Sequence, residues 1–454
     1  MNEYIAALRR DYPAIDELLR QYGDFSIAEY LQRIGHRQLP EILPSEDLLT
    51  AVRRYLSPFF GEETARRAAA LLGRVQCLST SNHHHLAFSC CFVQDTLLYE
   101  QWLRKNGETE GIVPIFAASN VNLQTSSYPR GIIIYDCTLP DKILKLPLFP
   151  YKMKHCCTGG IGKISPAMIR RAQEQLLKLK RNGTIRPSMF HAVSDFCENI
   201  LLSDSAQNCG SCRDQATTVN ALVSRRYFAD RSPRYLWMPM EDIVSELLQK
   251  DLRQENSLLH CLLFWPALRK SLMDRLNGVS GCWTGTSAGT HFFWGLDSRG
   301  VLFSMHLKTE QNHTVLTGTD SAGSTVTISF DAETICHHLK HRTLFPSLLL
   351  DFLELYFLRN YTVFGGYYQP AYLKHMQEGI VGSLEALNIF HEEAEIIRQK
   401  ISYTTLGPTY LIRDRGDGPY RVSTAELLEE PVSTQELEEK LKMTLTDSYA
   451  MMIP

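Results

Sequence analysis

Through the first 74 residues, apolar positions recur every three to four places, the spacing of helices with one buried face. "NEYIAALRRDYPAIDELLRQY" carries this period across Pro13, "PSEDLLTAVRRYLSPFF" offers Ser45 as an N-cap, and "GEETARRAAALLGR" closes near Gly73. Residues 1–74 are therefore expected to form a helical N-terminal layer. From residue 75 the pattern changes. "VQCLST" is an apolar run of strand length; a polar loop with three consecutive histidines follows, then an apolar helix, "CFVQDTLLYEQWLRKNG", ending at Gly107. "GIVPIFAAS" and "IIIYDCT" read as further strands, separated by the polar loop "NVNLQTSSYPRG". Strand, loop, helix, strand is the rhythm of a parallel α/β unit.

The fold class expected is α/β: a Rossmann-like, mostly parallel sheet core over 75–204 under the helical N-terminal layer, with a mixed α+β C-terminal half. Within the core, Ser165 as N-cap and Pro166 as first helical residue mark a helix start, and Gly183 follows its end. Residues 205–345 form the mixed α+β region, where "GTHFFWGLD", "VLFSMHLK", "TVLTGT" and "STVTISF" alternate like antiparallel strands. Residues 346–454 are expected to be a helical C-terminal region and tail.

Composition narrows the function classes. A chain of 454 residues suggests two or three domains. Lys+Arg 47 against Asp+Glu 50 gives a net charge of −3, so no global field draws the protein to nucleic acid or to an anionic membrane. The N-terminus lacks the apolar core of a secretory signal, and "LFPSLLLDFLELYFL" is too short to span a bilayer and contains Asp351 and Glu354. Twelve cysteines, some in adjacent pairs, read as reduced thiols, so the expected localisation is cytoplasmic. The expected partner is a small-molecule substrate, with no nucleic acid and no membrane. The N-terminal helices equally suit a homodimer interface.

The candidate chemistry centres on Asn82-His83-His84-His85. In an extended segment His83 and His85 share one side and His84 faces the other. Two readings follow. In one, His83 and His85 ligate zinc or iron, with a further ligand from Asp95, His155 or Asp136. In the other, an imidazole serves as acid/base without metal, beside Asn82, while its neighbours are structural. The next loop offers Asn122, Gln124, Ser126, Ser127 and Arg130, a suitable cradle for a carboxylate or phosphate, although Pro129 and Gly131 also suit a plain turn. "CCTGGIGKISP" sets Gly159, Gly160, Gly162 and Lys163 before a helix, where backbone donors suit a nucleotide phosphate, but it matches neither the P-loop nor the dinucleotide fingerprint. Cys209 and Cys212 form a lone CxxC, without the second pair a structural zinc site needs. Trp283, Phe292, Phe293, Trp294, Tyr367 and Tyr368 read as core aromatics, with His291, Asp297 and Gln369 as polar tips able to line a pocket wall. No GxSxG elbow occurs.

One segment, 75–116, resembles the first α/β unit of bacillithiol synthase-type cysteine-adding enzymes. Those proteins have a strand, a polar loop with a T-G-[QH]-Q-like motif, an apolar helix and a strand with a "VPVFW"-like run. Here "LSTSNHHHLAFSCCFVQDTLLY" and "IVPIFAAS" stand in those places, with Asn82-His83-His84 where the loop glycine would be. The resemblance implies a Rossmann-like core and a ligase-like condensation.

The sequence thus leads to a cytosolic small-molecule enzyme, a transferase or ligase acting on an anionic carboxylate or phosphate metabolite. Its site is expected where loops 80–86 and 118–131 meet. His83 or His85, with Asn82, would act as acid/base, and Asn122, Ser126, Ser127, Arg130, Lys163, His291 and Gln369 would bind substrate. The cofactor would be a divalent metal, zinc or iron, or a nucleotide. A metal-dependent hydrolase using His83 and His85, and a non-catalytic partner-binding protein using the aromatic region 281–373, are the alternatives.

Overall fold

The computed structural model describes residues 3–35, 39–125, 128, 130–310, 313–407 and 411–451. Its centre is a four-stranded, all-parallel sheet in a mixed α/β chain. The strands run Thr362–Phe364, Cys77–His83, Ile112–Ala118, Arg234–Pro239 across the sheet. These strands lack polar alternation because both of their faces are covered. Cys77, Val113, Ile115, Tyr235, Trp237 and Phe364 enter one apolar core. Leu78, Ile112, Phe116, Leu236, Met238 and Val363 enter a second.

The connections explain this two-sided burial. The helices Cys90–Lys105 and Cys212–Ser224, which precede the sheet strands Ile112–Ala118 and Arg234–Pro239, lie on the first core. Helix Met240–Asp251 lies on the other, and the chain then returns to the opposite edge at Thr362–Phe364. Crossovers of one hand that reverse direction across a sheet must change face. The reversal places a topological switch point between Cys77–His83 and Thr362–Phe364, where open α/β sheets collect ligands at the carboxyl ends of the strands.

The run "IIIYDCT" does not join this sheet. Gly131–Ile134 pairs antiparallel with Leu144–Pro147 in a separate two-stranded ladder. A parallel return needs a crossover, usually a helix, and the loop from Ser119 to Arg130 contains no helix among its described residues. The strand that neighbours Ile112–Ala118 on the side away from Cys77–His83 is Arg234–Pro239, reached only after several helices. The segment read as alternating does form antiparallel strands, in a five-stranded sheet running Thr325–Ser329, His313–Thr319, Leu302–Glu310, Phe293–Leu296, Leu344–Pro346.

Local signals fare as their chemistry dictates. Ser165 caps helix Pro166–Arg181 by accepting from the Met168 amide at 3.4 Å. Ser45, by contrast, is the first helical residue, and Pro44 occupies the cap. The N-terminal helices divide between the two faces of the sheet: Ile15 and Leu18 enter the first core, while Leu48, Val52, Leu56 and Leu72 enter the second. Among the described residues no helix is long and apolar enough to cross a membrane.

Candidate functional site

The strand Cys77–His83 runs on through the first histidine after its register shifts between Ser79 and Asn82. Such a shift re-aims side chains at the end of a strand. The His84 amide donates to the Ala118 carbonyl at 2.7 Å, and the His85 ring stacks on Tyr128 with centroids 3.7 Å apart. Loops 80–86 and 118–131 therefore meet at the carboxyl ends of adjacent parallel strands. His83 lies against Phe92, and Asn220 clamps the turn by donating to the His85 carbonyl at 2.8 Å and accepting from the Ala87 amide at 3.1 Å.

Burial keeps all three imidazoles neutral at pH 7. It pushes His83 down to about 4. Burial and then the nearby Arg213 guanidinium push His84 down to about 3. Burial, reinforced by His83, holds His85 well below the usual range. The His85 Nδ1 donates to the Leu86 carbonyl at 2.8 Å, leaving Nε2 with the lone pair. Among the described residues that Nε2 has no partner, and neither do His83 Nδ1, His84 Nδ1 or Asn82 Oδ1, all buried.

Metal chemistry finds little to work with here. Among the described residues no three His, Cys, Asp or Glu side chains converge on a metal position. The rings of His83 and His85 stand 5.9 Å apart and nearly perpendicular. Asp95 is bonded to Ser81, Asp136 pairs with Arg415 at 2.9 Å and Arg186 at 3.6 Å, and His155 is exposed. The donor set around His83 and His85 thus does not fit a bound metal.

The residues expected to hold an anion scatter. Ser126 and Ser127 lie outside the described residues. Asn122 is exposed, its backbone bridging to Cys157. Arg130 has a left-handed φ of 67°, and its guanidinium donates to Gln124 Oε1 at 2.8 Å and the Phe149 carbonyl at 2.7 Å. Lys163 donates to the Gln207 carbonyl. Of the neighbouring glycines, Gly160 answers to packing, since a Cβ there would lie 2.7 Å from the Gly300 Cα, while Gly162 has open space around it. His291 belongs to the antiparallel half, where its Nδ1 accepts from the Leu307 amide at 3.0 Å and burial pushes it down to about 4. Of this set, Gln369 reaches the histidine strand. It accepts from Thr80 Oγ1 at 3.2 Å and donates to the Val363 and Thr404 carbonyls at 3.1 and 2.8 Å, which fixes it at the switch point. Trp283, Phe292 and Phe293 are core residues, while Tyr368 is exposed. Cys209 and Cys212 are free thiols.

Other groups at the strand ends carry no motif. Glu241, fully buried just after Arg234–Pro239, accepts from the Ser119 amide and hydroxyl at 2.7 and 2.8 Å and from the Asn120 amide at 3.2 Å. Asp242 is gripped by two guanidinium groups, Arg213 at 2.6 Å and Arg342. Burial nonetheless raises Asp242 to about 7, against the pull of Arg213. Thr217 donates to the Trp237 carbonyl at 3.0 Å, so its oxygen is free to accept from Tyr55 at 2.9 Å and from His84 Nε2 at 3.2 Å. Tyr55, Asp242, Arg342, Lys340 and Phe345 line a cavity of about 420 Å³. A hydrogen-bonded path thus joins the cavity wall to His84. The one local signal was "PMEDIV", an acidic pair opening a helix, which also suits plain helix-dipole stabilisation.

No protein-family model matches this sequence, and comparison with curated proteins finds no match.

Proposed function

We propose that the protein is a small-molecule enzyme, transferring or joining a group on an anionic metabolite at the carboxyl ends of its parallel sheet. The observation that carries this reading is a set of buried polar atoms without partners among the described residues: Asn82 Oδ1, His83 Nδ1, His84 Nδ1 and His85 Nε2. Each such atom costs about 1–3 kcal/mol when left unsatisfied. Four together, beside a switch point, favour a site that a polar ligand completes. The adjoining cavity has Arg54 paired with Glu246 and Arg342 paired with Asp242 in its wall, and the further cation Lys340 there favours an anion as that ligand. His84 Nδ1 and His85 Nε2 then accept a proton at their lone pairs, and His83, whose Nδ1 is unpartnered among the described residues, is left to donate a hydrogen bond to developing negative charge. We read the sheet as a Rossmann-like core and the protein, with its twelve free thiols, as cytosolic.

The test is a thermal-shift screen of nucleotides, sugar phosphates and di- and tricarboxylates. At least one anion is expected to raise Tm. The rise should vanish in a His83→Gln/His85→Gln variant and shrink in Arg342→Met. If no anion shifts Tm, or the shift survives in both variants, the reading fails.

A further inference from the structure

We propose that His337 and His341 form a surface chelate for a divalent late-transition metal ion of the nickel, copper or zinc class, remote from the chemistry proposed above. The two sit on helix Ala332–Lys340 and its C-terminal cap. Asp331 starts the helix by accepting from the Thr334 amide at 2.9 Å, and Ile335, Cys336 and Leu339 bury its inner face. That anchoring turns His337 and His341 outward, and both are exposed. The His341 amide donates to the His337 carbonyl at 3.0 Å, so the turn joining them is closed and rigid.

Side chains four residues apart on a helix are neighbours on one face. Here the ring centroids are 4.4 Å apart and the planes are tilted by 48°. Imidazole nitrogens bind such ions at about 2.0–2.1 Å, so one ion between two rings at this spacing needs only side-chain rotation. Among the described residues no hydrogen bond or ion pair engages either ring. By contrast His338, 5.7 Å from His337, has its Nδ1 2.7 Å from Thr343 Oγ1. The pair also occupies the last turn, where unsatisfied carbonyl groups favour a cation. Glu333, one turn earlier on the same face, is held by Arg253 at 2.7 and 3.0 Å, leaving water to complete the coordination.

Calorimetric titration of tag-free protein with Ni²⁺ tests the site. One saturable ion per chain is expected, lost in His337→Asn/His341→Asn, with Tm in the absence of metal unchanged by these exposed substitutions. The His83→Gln/His85→Gln variant should bind Ni²⁺ as the parent does, which separates this site from the buried histidines. Three results would overturn the proposal: no saturable step in the parent, undiminished binding in the 337/341 variant, or loss of binding in the 83/85 variant. Should the double variant fold poorly, His341→Asn alone gives the same reading.

Discussion

The buried imidazoles at 83–85 link folding to pH. Histidine ionises near 6.5 in an unfolded chain, while burial pushes His83 down to about 4 and His84 down to about 3 in the folded protein. Between these limits the unfolded chain binds more protons, so their contribution is fully present above about pH 6.5 and is lost as pH falls. His84→Asn should therefore flatten the rise of the urea midpoint from about pH 3 to 6.5; an undiminished slope would contradict the burial argument. Asp351 has the opposite sign. Both its carboxyl oxygens are buried without partners among the described residues, and burial, then Glu241 and Glu354, holds it well above the ordinary carboxylate range. The folded protein keeps it protonated after the unfolded chain has ionised, so stability falls as pH rises past the unfolded value. Asp351→Asn, neutral at every pH, is expected to stabilise the protein at pH 7 by about 1 kcal/mol or more, read as a higher Tm. A lower Tm would mean that Asp351 holds a bound partner. At this scale the sequence displayed the histidines, because three in a row break an apolar pattern. It showed Asp351 inside an apolar stretch without a role for it, and it hid Glu241, because an acidic residue opening a helix reads as solvated until its neighbours are known.

Single elements show which patterns survive from sequence to structure. Helix Cys90–Lys105 and strands Cys77–His83 and Ile112–Ala118 were legible because each is long enough to display its period. Thr362–Phe364 has three residues, too few for any period, and sits among helix-like surroundings. The glycines at 159–162 suggested a phosphate loop, but Gly160 is dictated by the backbone of Gly300, a contact no local reading can supply. The segment Leu353–Phe357 winds as a π-helix and carries Glu354 to Arg359, whose other guanidinium nitrogen lies 2.6 Å from Asp251. All three side chains are fully buried. Arg359→Met would strand two carboxylates in the core and should cost about 3–5 kcal/mol, read as a lower denaturation midpoint. A loss under about 1 kcal/mol would show that the network is not worth its desolvation.

Across the whole molecule, two apolar cores on either side of one parallel sheet hold the strand ends in place. The candidate site draws on Tyr55, His84, Arg213, Thr217, Asp242 and Arg342, segments far apart in the chain. The histidine loop and the loop meeting it could be foreseen, since strand ends follow from strand positions. The arginine grip on Asp242 could not, because it exists only once helix Met240–Asp251 folds over the second face. The central claim is that neutral imidazoles at these strand ends await a polar ligand. Imidazole ¹⁵N NMR, assigned with His83→Gln, His84→Asn and His85→Gln, tests it most directly. Three imidazoles should stay neutral at pH values where exposed histidines are protonated, and their nitrogen shifts should move when a stabilising anion is added. Imidazoles at 83–85 that titrate like exposed histidines, or that ignore every such anion, would contradict the account.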